Sequence, residues 1–112
     1  MIQAGGNSDA DEVIVRQFII TNELGLHLRP AGLLVKTANR YAAAITIEKD
    51  GVAVDGKSII QIATLNAARN STITITASGP DARQAVEALG ALIISNFEEP
   101  HVNGNRPAEP SA

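Results

Sequence analysis

The chain has 112 residues, of which 45% are hydrophobic and 3% aromatic, and its formal net charge is -3. This length suits one domain, and the composition predicts a folded protein with an aliphatic core rather than a disordered or fibrous chain. The acidic balance, without any run of basic residues, argues against binding to nucleic acid. The absence of cysteine excludes disulfides and thiolate chemistry.

The two ends of the chain differ in composition from its middle. Residues 1–12 and 100–112 are polar or rich in Gly and Pro without apolar periodicity, which predicts disordered tails around a folded domain at residues 13–99. The N-terminus has neither a basic start nor an apolar run, so we expect no secretory signal. No apolar stretch approaches the roughly 20 residues that cross a bilayer, so we expect a cytoplasmic protein without membrane insertion.

The first half of the domain alternates between strand and helix patterns. The β-branched run Val13–Ile20 predicts a strand, and apolar positions at i, i+3, i+4 and i+7 predict a helix from Leu28 to about Tyr41. Ile45 and Ile47 alternate with polar residues in a second strand. The Asp-Gly pair at 50–51 predicts a hairpin turn into a short strand at 52–54.

The second half repeats this alternation. Ser58 to about Ala68 predicts a helix, because Ser58 and Gln61 have the spacing of a capping box. Thr72–Ser78 alternates strictly and predicts a strand with one buried face. A long apolar stripe from Ala82 to Phe97 predicts the last helix.

The resulting order of elements is β-α-β-β-α-β-α. The hairpin requires at least one antiparallel strand pair, which excludes an all-parallel doubly wound sheet. Strands with one apolar face and helices with one apolar stripe predict two layers. We therefore expect an α+β fold with a four-stranded sheet and helices on one side.

The segment Gly25–Ala31 places a histidine at the start of the first predicted helix. Backbone amides at a helix N-terminus favour an anion, a neutral imidazole is a nucleophile, and an arginine fork binds phosphate oxygens. We therefore expect His27 to carry a phosphoryl group and Arg29 to stabilise it. Pro30 suits the first turn, where its missing donor has no intrahelical partner. The alternative is a helix-terminal histidine without a chemical role.

Ser58 allows two interpretations from the residues alone. It is the expected N-cap of the second helix, or it is a phosphorylation site beside the apolar residues Ile59, Ile60 and Ala63, exposed for docking. A phosphate there would add about -1.5 to -2 charges and weaken binding to an acidic partner. No spacing of histidines or carboxylates indicates a metal site.

The segment around His27 resembles the active-site signature of the HPr family, the histidine-containing phosphocarriers of the bacterial phosphoenolpyruvate:sugar phosphotransferase system. The resemblance covers residues 13–98, including Gly56–Ile60 and Ile73–Gly79. The spacing between the histidine and serine motifs also agrees with the family. It implies an open-faced β-sandwich (HPr-like), in which three helices cover one side of a four-stranded antiparallel sheet.

The resemblance also implies a function and its partners. His27 would accept phosphate on Nδ1 from enzyme I, with Arg29 alongside, and pass it to enzyme IIA domains. Ser58 would be the serine that an HPr kinase/phosphorylase modifies in some bacteria. The protein would be a monomeric carrier rather than an enzyme, without cofactor or metal. The residues that match the family's partner-docking surface are Leu28, Lys36, Ile59, Ile60, Ala63 and Thr64.

Three positions depart from the family pattern. Leu28 replaces a small or hydroxylic residue, Leu24 replaces a polar one, and Asn39 replaces a lysine of the docking surface. These departures leave open a second hypothesis, a regulatory binding module whose His27 and Ser58 phosphorylation controls other proteins without sugar transport. A structural α/β domain is the third, and it requires both motifs to be accidental.

Overall fold

The computed structural model describes residues 12–98, so the predicted tails at 1–12 and 100–112 lie outside the described residues except for Glu12. The Glu12 carbonyl accepts a hydrogen bond from the Gly79 amide at 3.0 Å. Four strands and three α-helices follow one another in the predicted order. Among residues 12–98, no helix is long and apolar enough to span a membrane. The elements are β1 (Val13–Ile19), α1 (Leu28–Ala38), β2 (Ala44–Lys49), β3 (Val52–Asp55), α2 (Ile59–Thr64), β4 (Thr72–Ser78), α3 (Ala82–Ile94) and a final 3-10 turn (Asn96–Glu98).

The four strands form one antiparallel sheet in the order β1-β4-β2-β3. Val13 pairs with Ser78, and Ile45 of β2 pairs with Ala77 on the other side of β4. The β2–β3 hairpin turns at Asp50 and Gly51, which have φ angles of 53° and 83°. Positive φ at both central residues is the geometry that an Asp-Gly turn supplies. The predicted α+β open-faced sandwich is confirmed.

Alternation along the strands separates the two faces of the sheet. The inward side chains of β2 and β4, including Ile45, Ile47, Ile73 and Ile75, are buried, whereas the intervening threonines point away. All three helices contribute to the same core. Their buried apolar residues are Ala31, Leu34 and Ala38 of α1, Ile62 of α2, and Ala82, Ala85, Val86, Leu89 and Ile93 of α3.

Strand β1 and helix α1 are shorter than the sequence predicted. Strand β1 ends at Ile19, and α1 ends at Ala38 instead of about Tyr41. After Ala38 the amides of Arg40 and Tyr41 donate three residues back, to Thr37 and Ala38, at 3.0 and 3.2 Å. The chain thus leaves α1 through tight turns, a common way for a helix to end.

The predicted ends of the other two helices were wrong. Helix α2 ends at Thr64 instead of about Ala68, because Asn66 has a φ of 52°, which an α-helix does not allow. Helix α3 ends at Ile94, and the stripe that predicted it continues only as the separate turn around Phe97. The side chain of Phe97 is fully buried, so its apolar position was predicted correctly although its backbone conformation was not.

The capping box at Ser58 forms in one direction only. The Ser58 hydroxyl accepts a hydrogen bond from the Gln61 amide at 3.2 Å, as predicted. The Gln61 side chain instead accepts from the Asp55 amide at 2.9 Å, and the Ser58 amide donates to the Asp55 carbonyl at 3.1 Å. Gln61 therefore ties α2 to the end of β3 rather than completing the box.

Candidate functional site

His27 is the N-cap residue of α1. Its backbone is extended, with φ -73° and ψ -174°, and its carbonyl accepts the first helical hydrogen bond from Ala31 at 3.0 Å. The half-buried imidazole makes no capping hydrogen bond to the helix. The ring is therefore held at the helix N-terminus without being used to satisfy the helix amides.

A tight turn from Asn22 to Gly25 precedes His27. The Gly25 amide donates to the Asn22 carbonyl at 3.1 Å, and the buried Asn22 side chain donates to the Gly25 carbonyl at 2.7 Å. Gly25 has a φ of +68°, and a Cβ there would overlap the Ala67 carbonyl and lie 2.8 Å from the Ala68 Cα. Only glycine satisfies both the positive φ and the close approach of backbone.

The loop before α1 is attached to the connection between α2 and β4. The Leu26 amide donates to the Ala67 carbonyl at 2.8 Å. Leu26 and Ala67 are both buried, so this bond lies in the interior rather than at the surface. Two elements thus fix the position of His27: helix α1, which starts directly after it, and the α2–β4 connection, which is hydrogen-bonded to Leu26.

Arg29 is the second residue of α1 and its side chain is exposed. Its Nη2 donates a hydrogen bond to the Phe97 carbonyl at 3.1 Å, across 68 positions of sequence. The first turn of α1 contains no acidic residue. The positive end of the helix dipole and the guanidinium both favour an anion at the start of α1.

The surface around His27 is apolar. A shallow depression beside the imidazole is lined by Leu24, Leu26, Leu28, Ala63, Asn66, Ala67 and Ala68. Leu24 is 71% exposed and Leu28 70%, and on α2 Ile60 is 76% exposed. Exposed leucine and isoleucine side chains around one polar group are typical of a surface that contacts another protein.

The comparison with known protein families gives the family of this chain. The family described as PTS HPr component phosphorylation site matches residues 14–95. The chain belongs to this family.

Curated relatives and solved structures agree with the HPr assignment. Phosphocarrier protein HPr of Vibrio cholerae is 42% identical over 78 residues, 70% of this chain and 92% of that protein. HPr-like protein Crh of Halalkalibacterium halodurans is 42% identical over 81 residues, 72% of this chain and 96% of that protein. The crystal structure of HPr-C-His from Thermoanaerobacter tengcongensis superposes with a TM-score of 0.75 at 38% identity, covering 77% of this chain and 97% of that chain.

The structure brings some of the predicted docking residues of this HPr-family chain together with His27. Leu28 and Ala63 line the depression, and Ile60 and Thr64 are exposed on the same helix as Ala63. Ile59 is half-buried, and its Cδ1 lies 3.5 Å from where a Cβ of Gly32 in α1 would be.

Lys36 occupies a different place. It is exposed in a groove between α1 and α3, together with Arg40 and Glu98, and does not line the depression at His27. The predicted docking set is therefore continuous around α2 and the start of α1, and Lys36 lies beyond its edge.

Ser58 is half-buried at the N-cap of α2, so the two predicted phosphorylation residues open two helices that pack against each other. The structure supports the capping interpretation of Ser58 directly, through the bond to the Gln61 amide. A hydroxyl at a helix start is also compatible with phosphorylation, because the helix dipole favours the added charge.

Three residues that support the site were missed from the sequence. Asn22 had a recognisable signal, since asparagine at the first and glycine at the fourth position are favoured in a common β-turn. Leu24 was noted as a departure from the family pattern but was not among the predicted docking residues, although it is exposed and lines the depression at His27. Phe97 had no signal, because its contact with Arg29 uses a backbone carbonyl.

Proposed function

We propose that this protein is a phosphocarrier that takes a phosphoryl group on His27 from phosphoenolpyruvate-charged enzyme I and passes it to enzyme IIA domains of sugar phosphotransferase systems. The observation that carries the proposal is the position of His27 at the α1 N-cap, two residues before an arginine and within the match to the HPr family. In this function the protein is a shuttle and not a turnover enzyme, and it acts as a monomer in the cytoplasm.

The proposed transfer is an in-line exchange between two histidines. The lone pair of His27 Nδ1 attacks the phosphorus of the donor phosphohistidine, and the donor N–P bond breaks as the new N–P bond forms. The donor ring carries a proton on its other nitrogen and therefore leaves as a neutral imidazole. His27 keeps its Nε2 proton and becomes a phosphohistidine with a protonated ring, so charge and protons balance without a separate base. Positioning and electrostatics supply most of the rate in such transfers.

Arg29 and the start of α1 have the role of stabilising the phosphoryl oxygens in this proposal. A guanidinium donates charge-assisted, directional hydrogen bonds to phosphate, and the helix amides add the positive end of a dipole. The absence of an acidic residue from the first turn of α1 supports this role, because a carboxylate there would repel the group.

Docking is proposed to use the apolar surface around His27. Leu24, Leu28 and Ile60 expose most of their side chains, and Ile59, Ala63 and Thr64 continue the surface along α2. A carrier with several partners requires short-lived complexes, and a surface formed by a few exposed apolar side chains suits them better than permanent assembly. Lys36 lies beyond this surface, in the groove between α1 and α3, so it would contact only a partner that extends over that groove.

Ser58 is proposed as the point of regulation by an HPr kinase/phosphorylase. A phosphoserine at this N-cap adds about -1.5 to -2 charges next to the apolar surface. The charge is tolerated by α2 itself, because it sits at the positive end of the helix. It would oppose an acidic partner, so phosphorylation reduces docking without unfolding the carrier.

The test is incubation of the purified protein with phosphoenolpyruvate and enzyme I from the same organism, followed by intact mass. We expect a gain of one phosphate that is lost in acid and absent in His27→Ala. Circular dichroism checks that the variant keeps its fold, so that loss of labelling reports on the imidazole. Equal labelling of His27→Ala, or no labelling of the wild type, would reject the proposal.

The second candidate, a regulatory binding module, is favoured by one observation. The similarity to HPr-like protein Crh is as high in identity as the similarity to a phosphocarrier HPr. The two functions differ in the fate of the phosphoryl group. Transfer from the phosphorylated protein to a purified enzyme IIA supports the carrier, whereas a phosphoryl group that stays on His27 and changes partner binding supports the regulator.

A further inference from the structure

The turn after α3 has an unusual backbone. Asn96, Phe97 and Glu98 have φ angles of 59°, 56° and 60°, so three consecutive residues other than glycine are left-handed. Asparagine tolerates this region, but for a bulky residue such as phenylalanine it is an outlier that the surroundings must enforce. Strained conformations of this kind occur preferentially where a functional group has to be held in place.

Contacts on both sides enforce the turn. The Phe97 side chain is fully buried in the core, which fixes the middle of the turn. The Asn96 side chain accepts a hydrogen bond from the Thr21 hydroxyl at 2.6 Å, across 75 positions of sequence. The Glu98 amide closes the turn on the Ser95 carbonyl at 2.9 Å.

The turn changes the direction of one carbonyl. In a continued α-helix the Phe97 carbonyl would lie along the axis, toward the amide four residues later. In the left-handed turn it instead accepts a hydrogen bond from Arg29 Nη2 at 3.1 Å. The left-handed turn is therefore what allows the Phe97 carbonyl to accept a hydrogen bond from Arg29, two residues after His27.

We propose that this turn is a positioning element for phosphoryl transfer: the Phe97 carbonyl orients the Arg29 guanidinium beside His27, and the Thr21–Asn96 hydrogen bond holds the carbonyl in place. The proposal rests on the proposed function and adds Thr21, Asn96 and Phe97 to the site as positioning residues. An arginine has many rotamers, and holding its fork before the phosphoryl group arrives removes an ordering cost from the transfer step. Thr21 also directly precedes the Asn22–Gly25 turn. The Thr21–Asn96 hydrogen bond therefore connects the turn before His27 with the turn that contacts Arg29.

Thr21 offers a matched pair of variants in the full chain. Thr21→Val keeps the shape of the side chain and removes the donor to Asn96, whereas Thr21→Ser keeps the hydroxyl. We expect Thr21→Val to lower kcat for phosphorylation of His27 by enzyme I about tenfold with little change in KM. Thr21→Ser should remain close to the wild type, because the hydrogen bond is retained. An unaffected kcat in Thr21→Val would overturn the proposal.

A double-mutant cycle separates positioning of Arg29 from a general structural effect. In the Arg29→Lys background there is no planar fork to orient, so Thr21→Val should cause no further loss of kcat. The same tenfold loss in both backgrounds would mean that Thr21 acts on the fold and not through Arg29, and would overturn the proposal.

A measurement on the unphosphorylated protein keeps this test independent of the proposed function. The side-chain NMR signals of the Arg29 guanidinium should shift and lose definition in Thr21→Val and not in Thr21→Ser. If the wild type accepts no phosphate, the proposed function fails while these signals still decide whether the turn orients Arg29. Unchanged signals in Thr21→Val would overturn the positioning role.

Discussion

The Leu26 amide donates to the Ala67 carbonyl at 2.8 Å, and this buried bond joins the loop that carries His27 to the connection after α2. Ala67 and Ala68 also occupy the space that a side chain at position 25 would need. The position of His27 therefore depends on a close contact between two loops that are far apart in sequence.

Gly25→Ala should destabilise the fold and impair the site together. The substitution combines a left-handed φ, costing about 1–2 kcal/mol, with overlap against backbone atoms, costing about 1–3 kcal/mol more. Gly51→Ala is the matched control, because Gly51 also has a positive φ but has no atom within 4 Å of its added Cβ. Chemical denaturation measures both, and equal losses for the two variants would contradict the close-contact argument.

Substitutions at Ser58 should separate capping from charge. Asn and Asp are both good N-caps, so Ser58→Asn and Ser58→Asp should retain α2, whereas Ser58→Ala should lose about 1 kcal/mol of stability. Only Ser58→Asp adds a charge beside the docking surface, and it should weaken binding to enzyme I about fivefold or more. Calorimetry checks the affinities; similar binding by the Asp and Asn variants would show that charge at this position has no effect.

Leu28→Ala should reduce partner binding without reducing stability. Leu28 is 70% exposed beside His27, so truncation leaves no cavity and should change the free energy of unfolding by less than about 0.5 kcal/mol. Loss of its apolar area should lower the affinity for enzyme I. The control is Val52→Ala, at a residue that is 58% exposed in the β2–β3 hairpin. An equal effect of both variants on binding would argue against a docking surface centred on His27.

Asp81 should make stability depend on pH in the acid range. Its carboxylate accepts hydrogen bonds from the Ala42 and Ala43 amides, both at 2.9 Å, and the Ala42 bond in particular lowers the pKa of Asp81 below its ordinary value. A carboxyl whose pKa is lower in the folded state stabilises the fold above its unfolded pKa of about 3.9, and this contribution is lost as the pH falls through the folded pKa.

The melting temperature of Asp81→Asn should therefore lie below that of the wild type at neutral pH, and the difference should shrink toward about pH 2. Asp50→Asn serves as the control, because Asp50 is exposed in a hairpin turn whose positive φ asparagine tolerates. A constant difference between wild type and Asp81→Asn across this range would show that the two hydrogen bonds do not depend on the charge of the carboxylate.

The sequence was sufficient for features that depend on local pattern. Strand β4 was predicted with its observed bounds, because strict alternation from Thr72 to Ser78 has only one explanation in a half-buried sheet. The helix start at His27 and the cap at Ser58 were also predicted, since Pro30 and the capping spacing are local signals. These signals place both candidate phosphorylation residues at helix starts.

Features that depend on distant residues could not be predicted. Helix α2 stops where Asn66 turns to a positive φ and the Ala67 carbonyl binds the Leu26 amide, and neither event involves a glycine or proline. The Arg29 bond to Phe97 crosses 68 positions and ends on a main-chain atom that every residue type possesses. Tertiary packing determines both the end of α2 and the Arg29–Phe97 hydrogen bond. The spacing of apolar residues along the sequence carries no information about that packing.

The antiparallel pairing of β1 with β4 has a consequence for synthesis. The first strand pairs with residues made about sixty positions later, and the last contact on the site comes from Phe97, so most supports of His27 are absent while the chain is still leaving the ribosome. The imidazole gains its neighbours only when the domain is nearly complete. A chain that lacks its last residues therefore presents the histidine without these contacts, and we expect such a chain to be a poor phosphoryl acceptor.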